Sequence, residues 1–429
     1  MNRFALAVSS AIARITGAAL GPYQTAVVRI GFSATWLLFL LREIPHREEL
    51  YGPGSPWSWD LAQQLISSNS AFTALMWSDT RGWFEVVYVL AALSSLLLLL
   101  GWRTRTMSVL FMIGVLSLQN RSVFMGDGGD NVLHLMSVYL VFTRCGQVWS
   151  LDARRARLAR EARARGQYVP DQHGRDQYGP DVYGPEQYVS DQHVSDRVGP
   201  ALWGLLGFAL VAVTAGGRFD GVDPTVPVIL WVVWLASALS WAVRRRVKSG
   251  EPRILLDVIA NIVHNGALFV IMAEACLIYA TAGWYKIQGT RWQDGTAVYY
   301  PLHLDYFTPW PGLADLLSSS GTMVMLVTYG TVIVQVAFPF TLFNRRVKNV
   351  LLAAMMTEHA VIAVVLGLPF FSLAMIAADA VFLPTSLLRR VGGWAARGRE
   401  RLFARDGRVT LPGPRAPENP EPTRAGSTA

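Results

Sequence analysis

A series of apolar runs, many near ~20 residues, alternates with short blocks of Arg and Lys along this chain. No other feature constrains the fold so tightly. In hydrocarbon every backbone N–H and C=O must be satisfied inside the spanning segment, so runs of this length fold as helices. The chain is therefore read as an all-α, polytopic transmembrane helical bundle. Composition agrees, since 52% of the residues are hydrophobic and 16% charged, against about 25% charged in soluble domains. The net charge of +8 does not point to nucleic acid, because the Lys and Arg residues sit in short blocks between apolar runs. The partner named by composition is the lipid bilayer. Two cysteines, Cys145 and Cys276, supply neither a disulfide framework nor a CxxC metal site.

About ten spans are expected, at roughly 24–41, 83–101, 107–119, 132–146, 201–217, 226–243, 254–285, 322–343, 349–367 and 371–388. Residues 1–22 place Phe4, Val8, Ile12 and Ile15 on one face, the pattern of an amphipathic helix lying on the membrane surface. With a cytoplasmic N-terminus, the basic blocks at 103–105, 154–165, 244–253, 345–348 and 389–401 all fall on one side. The loops at 43–82, 120–131, 218–225, 286–320 and 367–370 then fall on the other. The positive-inside rule makes this a multi-pass plasma-membrane protein with both termini cytoplasmic.

The spans group into a first half (23–150), an inserted helix pair (201–253) and a second half (254–388). Residues 151–200 hold a basic stretch and a repeat of period five, from Val169-Pro-Asp-Gln-His173 to Val194-Ser-Asp-Arg-Val198. It is too poor in aliphatic residues to build a core and is expected to be a disordered linker. The basic, Pro-rich tail at 389–429 is expected to be disordered as well.

Chemistry concentrates between Tyr279 and Tyr300, where a long apolar segment gives way to a loop of Trp, Tyr, Asp and Gly with Lys286 at the seam. A lysine at a span end commonly serves only as an anchor, its stem in lipid and its amine in water. This one has Trp284, Tyr285, Arg291, Trp292 and Asp294 close by. Ionisable groups within spans are costly and face a partner or a cavity; here they are Arg29, His134, Asp257, His264, Glu274, Glu358, His359 and Asp379. Asp257, Asn261 and His264 share one helical face, readable as a polar track toward Lys286 or as helix–helix hydrogen bonding. Asp127, Asp130 and His134 are weak metal candidates. The more common role for such a Gly-Asp cluster is a turn with a helix N-cap.

Ala282, Gly283 and Lys286, followed by Trp292, Asp294 and Gly295, resemble the motif of the HTTM family, bacterial membrane proteins related to the vitamin K-dependent gamma-carboxylase. The block from Asn120 and Arg121 through His134, and the set Glu358, His359 and Asp379, are similar to further stretches of that family. The resemblance covers most of 20–150 and 255–388. It implies quinol-linked chemistry at the outer face, with a quinone or quinol as cofactor and Lys286 as the base. Arg121, Trp284, Tyr285, Arg291, Trp292, Asp294, His359 and Asp379 would then line the substrate site, within a polar cavity. A lysine serves as base only as the neutral amine, the form that burial favours.

Two departures stand out: Arg121 occupies the place of a functional histidine in the carboxylase, and no counterpart of its lumenal domain is expected after the last span. The family also implies a non-catalytic alternative, as a membrane partner in maturation or export of a secreted peptide or toxin. A small membrane or secreted protein is the partner implied by that alternative. Transport ranks behind both, since the two halves show no inverted repeat.

Overall fold

The computed structural model describes residues 3–166, 198–246 and 250–406, and every regular element among them is a helix. The repeat up to residue 197 and the tail beyond 406 lie outside the described residues. The main helices are α1 (Arg3–Gly17), α2 (Pro22–Glu43), α3 (Arg81–Leu100), α4 (Thr104–Arg121), α5 (Gly128–Val141), α6 (Leu151–Gly166), α7 (Val198–Ala215), α8 (Thr225–Arg246), α9 (Glu251–Gln288), α10 (Gly321–Ala337), α11 (Arg345–Val365) and α12 (Pro369–Asp379). They belong to one compact unit, Met1–Thr385. A second unit, Ser386–Ala429, carries nearly all of the helix Thr385–Asp406.

Seven helices are long and apolar enough to cross a membrane: Pro22–Tyr51, Arg81–Leu100, Val198–Ala215, Thr225–Val243, Glu251–Gln288, Gly321–Thr341 and Arg345–Val365. The other three expected spans are helical but fall outside this set. α4 carries polar residues at both ends, α5 has 14 residues and α12 has 11. At 1.5 Å per residue, 14 residues reach ~21 Å, short of the ~30 Å hydrocarbon thickness. The expected 43–82 loop also contains a helix, Trp59–Asn69, whose N-cap Ser58 accepts from the Leu61 N–H.

Local chemistry sets the boundaries. Proline opens α2, α9 and α12, where its missing N–H is not needed. Ser320 and Asn344 cap α10 and α11 with their side chains. Within the expected eighth span α10 stops at Ala337, and Pro339 lies in a 3-10 turn, Phe338–Thr341. α3 ends at Gly101, whose φ of 70° is left-handed. A Cβ there would meet the Arg29 guanidinium at 2.0 Å. Arg29 is fully buried, and its Nη2 donates to the Trp149 carbonyl at 2.7 Å.

α2 is the central post, packed against α3, α5 and α12. Phe32, Trp36 and Leu40 of α2 join Phe84 and Tyr88 of α3, Phe111 of α4, Met136 of α5 and Ile271 and Tyr279 of α9 in one core. Small residues let the backbones close in. A Cβ on Gly31 would lie 2.5 Å from Ala377 Cβ, and one on Gly114 would lie 2.8 Å from Ala91 Cβ. Without a hydrophobic drive between helices in lipid, such close approach supplies the dispersion contact. α7 and α8, by contrast, bury little. They hold each other through Trp203 and Trp234, stacked at 4.5 Å, each indole N–H donating to the other's carbonyl.

Candidate functional site

α9 has 38 residues, ~57 Å of helix, and Lys286 lies in its last turn. Tyr279, Gly283 and Lys286 are spaced i, i+4 and i+7, so they share one face. Gly283 is where α9 meets α10: a Cβ on it would sit 2.5 Å from Val336 Cγ2. That approach turns Lys286 inward. Its Nζ donates to Gln335 Oε1 at 2.5 Å, and Gln335 Nε2 donates to Glu358 Oε1 at 2.8 Å. The amide orientation follows from its neighbours, because only the NH₂ end can serve a carboxylate and only the oxygen can accept from Lys286. Gln335 is 4% exposed, while Lys286 and Glu358 are half-buried.

Deeper in the bundle the same helices bring a second set together. Tyr279 O–H and His359 Nε2 are 3.1 Å apart, and both residues are buried. Asp379, fully buried, lies beside Tyr279. Neither of its carboxyl oxygens has a hydrogen bond of ordinary geometry among the described residues, and His359 Nδ1 is in the same position. Buried groups left in this state are uncommon and call for a chemical role.

Beyond α9 the chain turns at Gly289, and Trp292 returns so that its ring lies 5.2 Å from Lys286 Nζ. The other loop residues expected at the site are occupied elsewhere. Arg291 sits over the Tyr300 ring at 4.9 Å and pairs with Asp294 at 3.5 Å; both side chains are exposed, so the pair contributes little. The Thr296 hydroxyl, then its N–H and Arg291, hold the Asp294 carboxyl below its ordinary pKa. Asp294 is thus the organiser of its own turn. Trp284 and Tyr285 are 61% and 73% exposed, turned away from the face of α9 that carries Tyr279, Gly283 and Lys286. Of Trp284, Tyr285 and Trp292, all expected to line the site, only Trp292 stands beside the amine.

Arg121 is not in this group. It is buried in the first half, where Nη2 donates to the carbonyls of Trp57 at 2.9 Å and Gly52 at 3.3 Å, fastening the 52–57 loop. Asp127 caps α5, accepting from the N–H of Gly129 and Asp130, while Asp130 accepts from the Asp127 N–H. Among the described residues no group of three His, Cys, Asp or Glu is placed to hold a metal ion.

The expected polar track along α9 is in its first part a set of ties. Arg144 N–H donates to His264 Nδ1 at 2.8 Å, which leaves Nε2 as the ring donor to the Leu20 carbonyl at 2.8 Å. Asn261 holds the Thr16 carbonyl and the Arg144 guanidinium, and Asn265 holds the carbonyls of Ile15 and Ala18. These bonds moor the end of α1 to α9.

Two participants were missed in sequence, Gln335 as the bridge and Tyr279 as the buried phenol. A lone Gln inside an apolar run and the seven-residue step from Tyr279 to Lys286 are the signals that carry them. A cavity of about 2150 Å³ lies away from this cluster, and Lys286 does not line it. Comparison with the models of known families, with curated proteins and with solved structures finds no match to this chain.

Proposed function

We propose that this chain is a multi-pass plasma-membrane protein of the HTTM type in which Lys286, at the outer face, takes a proton from a lipid-soluble quinol. The observation that supports this reading is the inward turn of Lys286 onto Gln335, against a span-end lysine's usual reach for water. In the proposed step the quinol O–H bond breaks as a new N–H bond forms, leaving a quinolate and an ammonium. Gln335 Oε1 accepts from the amine both before and after the transfer. Once charged, the ammonium faces the Trp292 ring, a favourable cation–π geometry, and lies one amide away from Glu358. The quinol ring would enter beside Trp292, with Tyr279, His359 and Asp379 beneath.

The test is mass spectrometry of small molecules and proteins that co-purify with the full chain in mild detergent, compared with Lys286→Met. A quinone carried by the wild type and lost from the inserted, folded variant is the expected result. A polypeptide lost in its place would favour the maturation-partner role. Identical profiles for the two proteins would overturn the assignment of Lys286.

A further inference from the structure

The large cavity is bounded by α3, α4, α6, α7 and α8, and its lining changes character from end to end. One end carries Arg103, Arg105, Arg144, Arg155 and Arg160, against Asp152 and Asp257. The Asp152 carboxylate is already engaged at the start of α4, accepting from the N–H of Arg103 and Thr104 and from the Thr104 hydroxyl. The other end is aromatic, with Phe72, Trp77, Trp83 and Phe219. It lies near Ser117, because Thr73 donates to the Ser117 carbonyl and the Ala74 N–H donates to the Ser117 hydroxyl. From Arg105 to Ser117 along α4 is ~18 Å, close to one leaflet's share, ~15 Å, of the hydrocarbon core. Leu90, Val109, Ile113, Leu206, Val213 and Leu230 line the length between.

We propose that this cavity is a binding site for a two-chain lipid with an anionic phosphate headgroup, the phosphate among the arginines and the acyl chains along the apolar length. Three features select this occupant. The charge is confined to one end, as an amphiphile needs. The volume of about 2150 Å³ exceeds the ~300–1,000 Å³ typical of small-molecule sites. The α7–α8 pair closes one side while burying little of itself, so acyl chains supply packing that protein side chains do not. Arg105, Arg155 and Arg160 carry the headgroup selectivity, with Arg155 5.9 Å above the Trp102 ring.

Native mass spectrometry of the full chain in neutral detergent tests this, with phosphatidylglycerol and phosphatidylcholine of identical acyl chains as probes. Phosphatidylglycerol should be retained at least tenfold better, since each arginine near the headgroup favours a net anionic lipid over a zwitterionic one about fivefold. In the triple variant Arg105→Gln, Arg155→Gln, Arg160→Gln the preference should fall below about twofold. If that variant fails to fold, rising salt applied to the wild type should erode the preference in its place. Equal retention of both lipids by the wild type, an unchanged preference in the folded variant, or a preference indifferent to salt would each overturn the proposal. Displacement of the lipid by inorganic phosphate alone would overturn the two-chain assignment.

Discussion

Replacing Gln335 by Leu removes the amide that joins Lys286 to Glu358 and keeps the bulk of the side chain. A hydrogen bond contributes about 0.5–1.5 kcal/mol between neutral partners and about 1.5–3 kcal/mol to a charged one, so the bond to the neutral amine and the bond to Glu358 together set a ceiling near 2–4.5 kcal/mol. Two effects pull the value down. Lys286 and Glu358 are half-buried and regain solvent when the bridge is gone. In addition, cycles within a membrane bundle give about 0.6 kcal/mol per hydrogen bond and at most about 1.7, because the unfolded chain in the membrane also finds partners. The second scale governs here, and the expected loss for both bonds is about 1–3 kcal/mol. The assay is reversible unfolding of the full chain in mixed micelles for Gln335→Leu, Lys286→Met and the double variant. A coupling of about 0.6–1.7 kcal/mol between the two positions is expected. Additivity within about 0.3 kcal/mol would refute the bridge and, with it, the inward placement of Lys286.

Other expectations follow from the same geometry. Gly283→Leu should force α9 away from Val336 and raise the labelling of Lys286 by an amine-reactive reagent severalfold, read by peptide mass spectrometry; unchanged labelling would sink the close-approach argument. Arg121→Met should cost about 2–3 kcal/mol and expose the 52–57 loop to protease, while any quinone retained by the wild type stays bound; loss of that quinone would return Arg121 to the Lys286 site. The Asp294 carboxyl is lowered in the folded protein, so its support of the turn is present above the ordinary value of 3.8 and is lost as pH falls below it. The protection of the Thr296 N–H, taken relative to the intrinsic exchange rate at each pH, should therefore fall on acidification in the wild type, and Asp294→Asn should abolish that dependence. His264→Ala together with Asn265→Ala should free the end of α1, seen as faster exchange at residues 16–20; unchanged protection there would mean that the bonds do not hold it.

The helices were largely legible because an apolar run and its punctuation are local. The run expected at 226–243 is part of Thr225–Arg246, and the one at 83–101 matches Arg81–Leu100 except for Gly101, the residue that ends the helix. The site was legible only in part. Lys286, His359 and Asp379 announce themselves as costly groups in or beside apolar runs, wherever they point. What Lys286 faces depends on Gly283 meeting Val336 from another helix, which no local pattern encodes. The outward placement of Trp284 and Tyr285 was within reach, since the period that aligns Tyr279, Gly283 and Lys286 sends their neighbours to the far side. Arg121 could not be placed by spacing, because its carbonyl partners lie 64 and 69 residues away.

The mooring of residues 15–20 to α9 reaches across 244 to 250 positions. At ~5–20 residues per second a ribosome needs ~12–50 s to travel that far. Throughout that interval residues 15–20 have none of these partners, and their backbone oxygens must be satisfied by water. Biogenesis therefore closes this part of the molecule late, once Asn261, His264 and Asn265 have been made. A nascent chain arrested before residue 261 would leave residues 15–20 without any of these bonds.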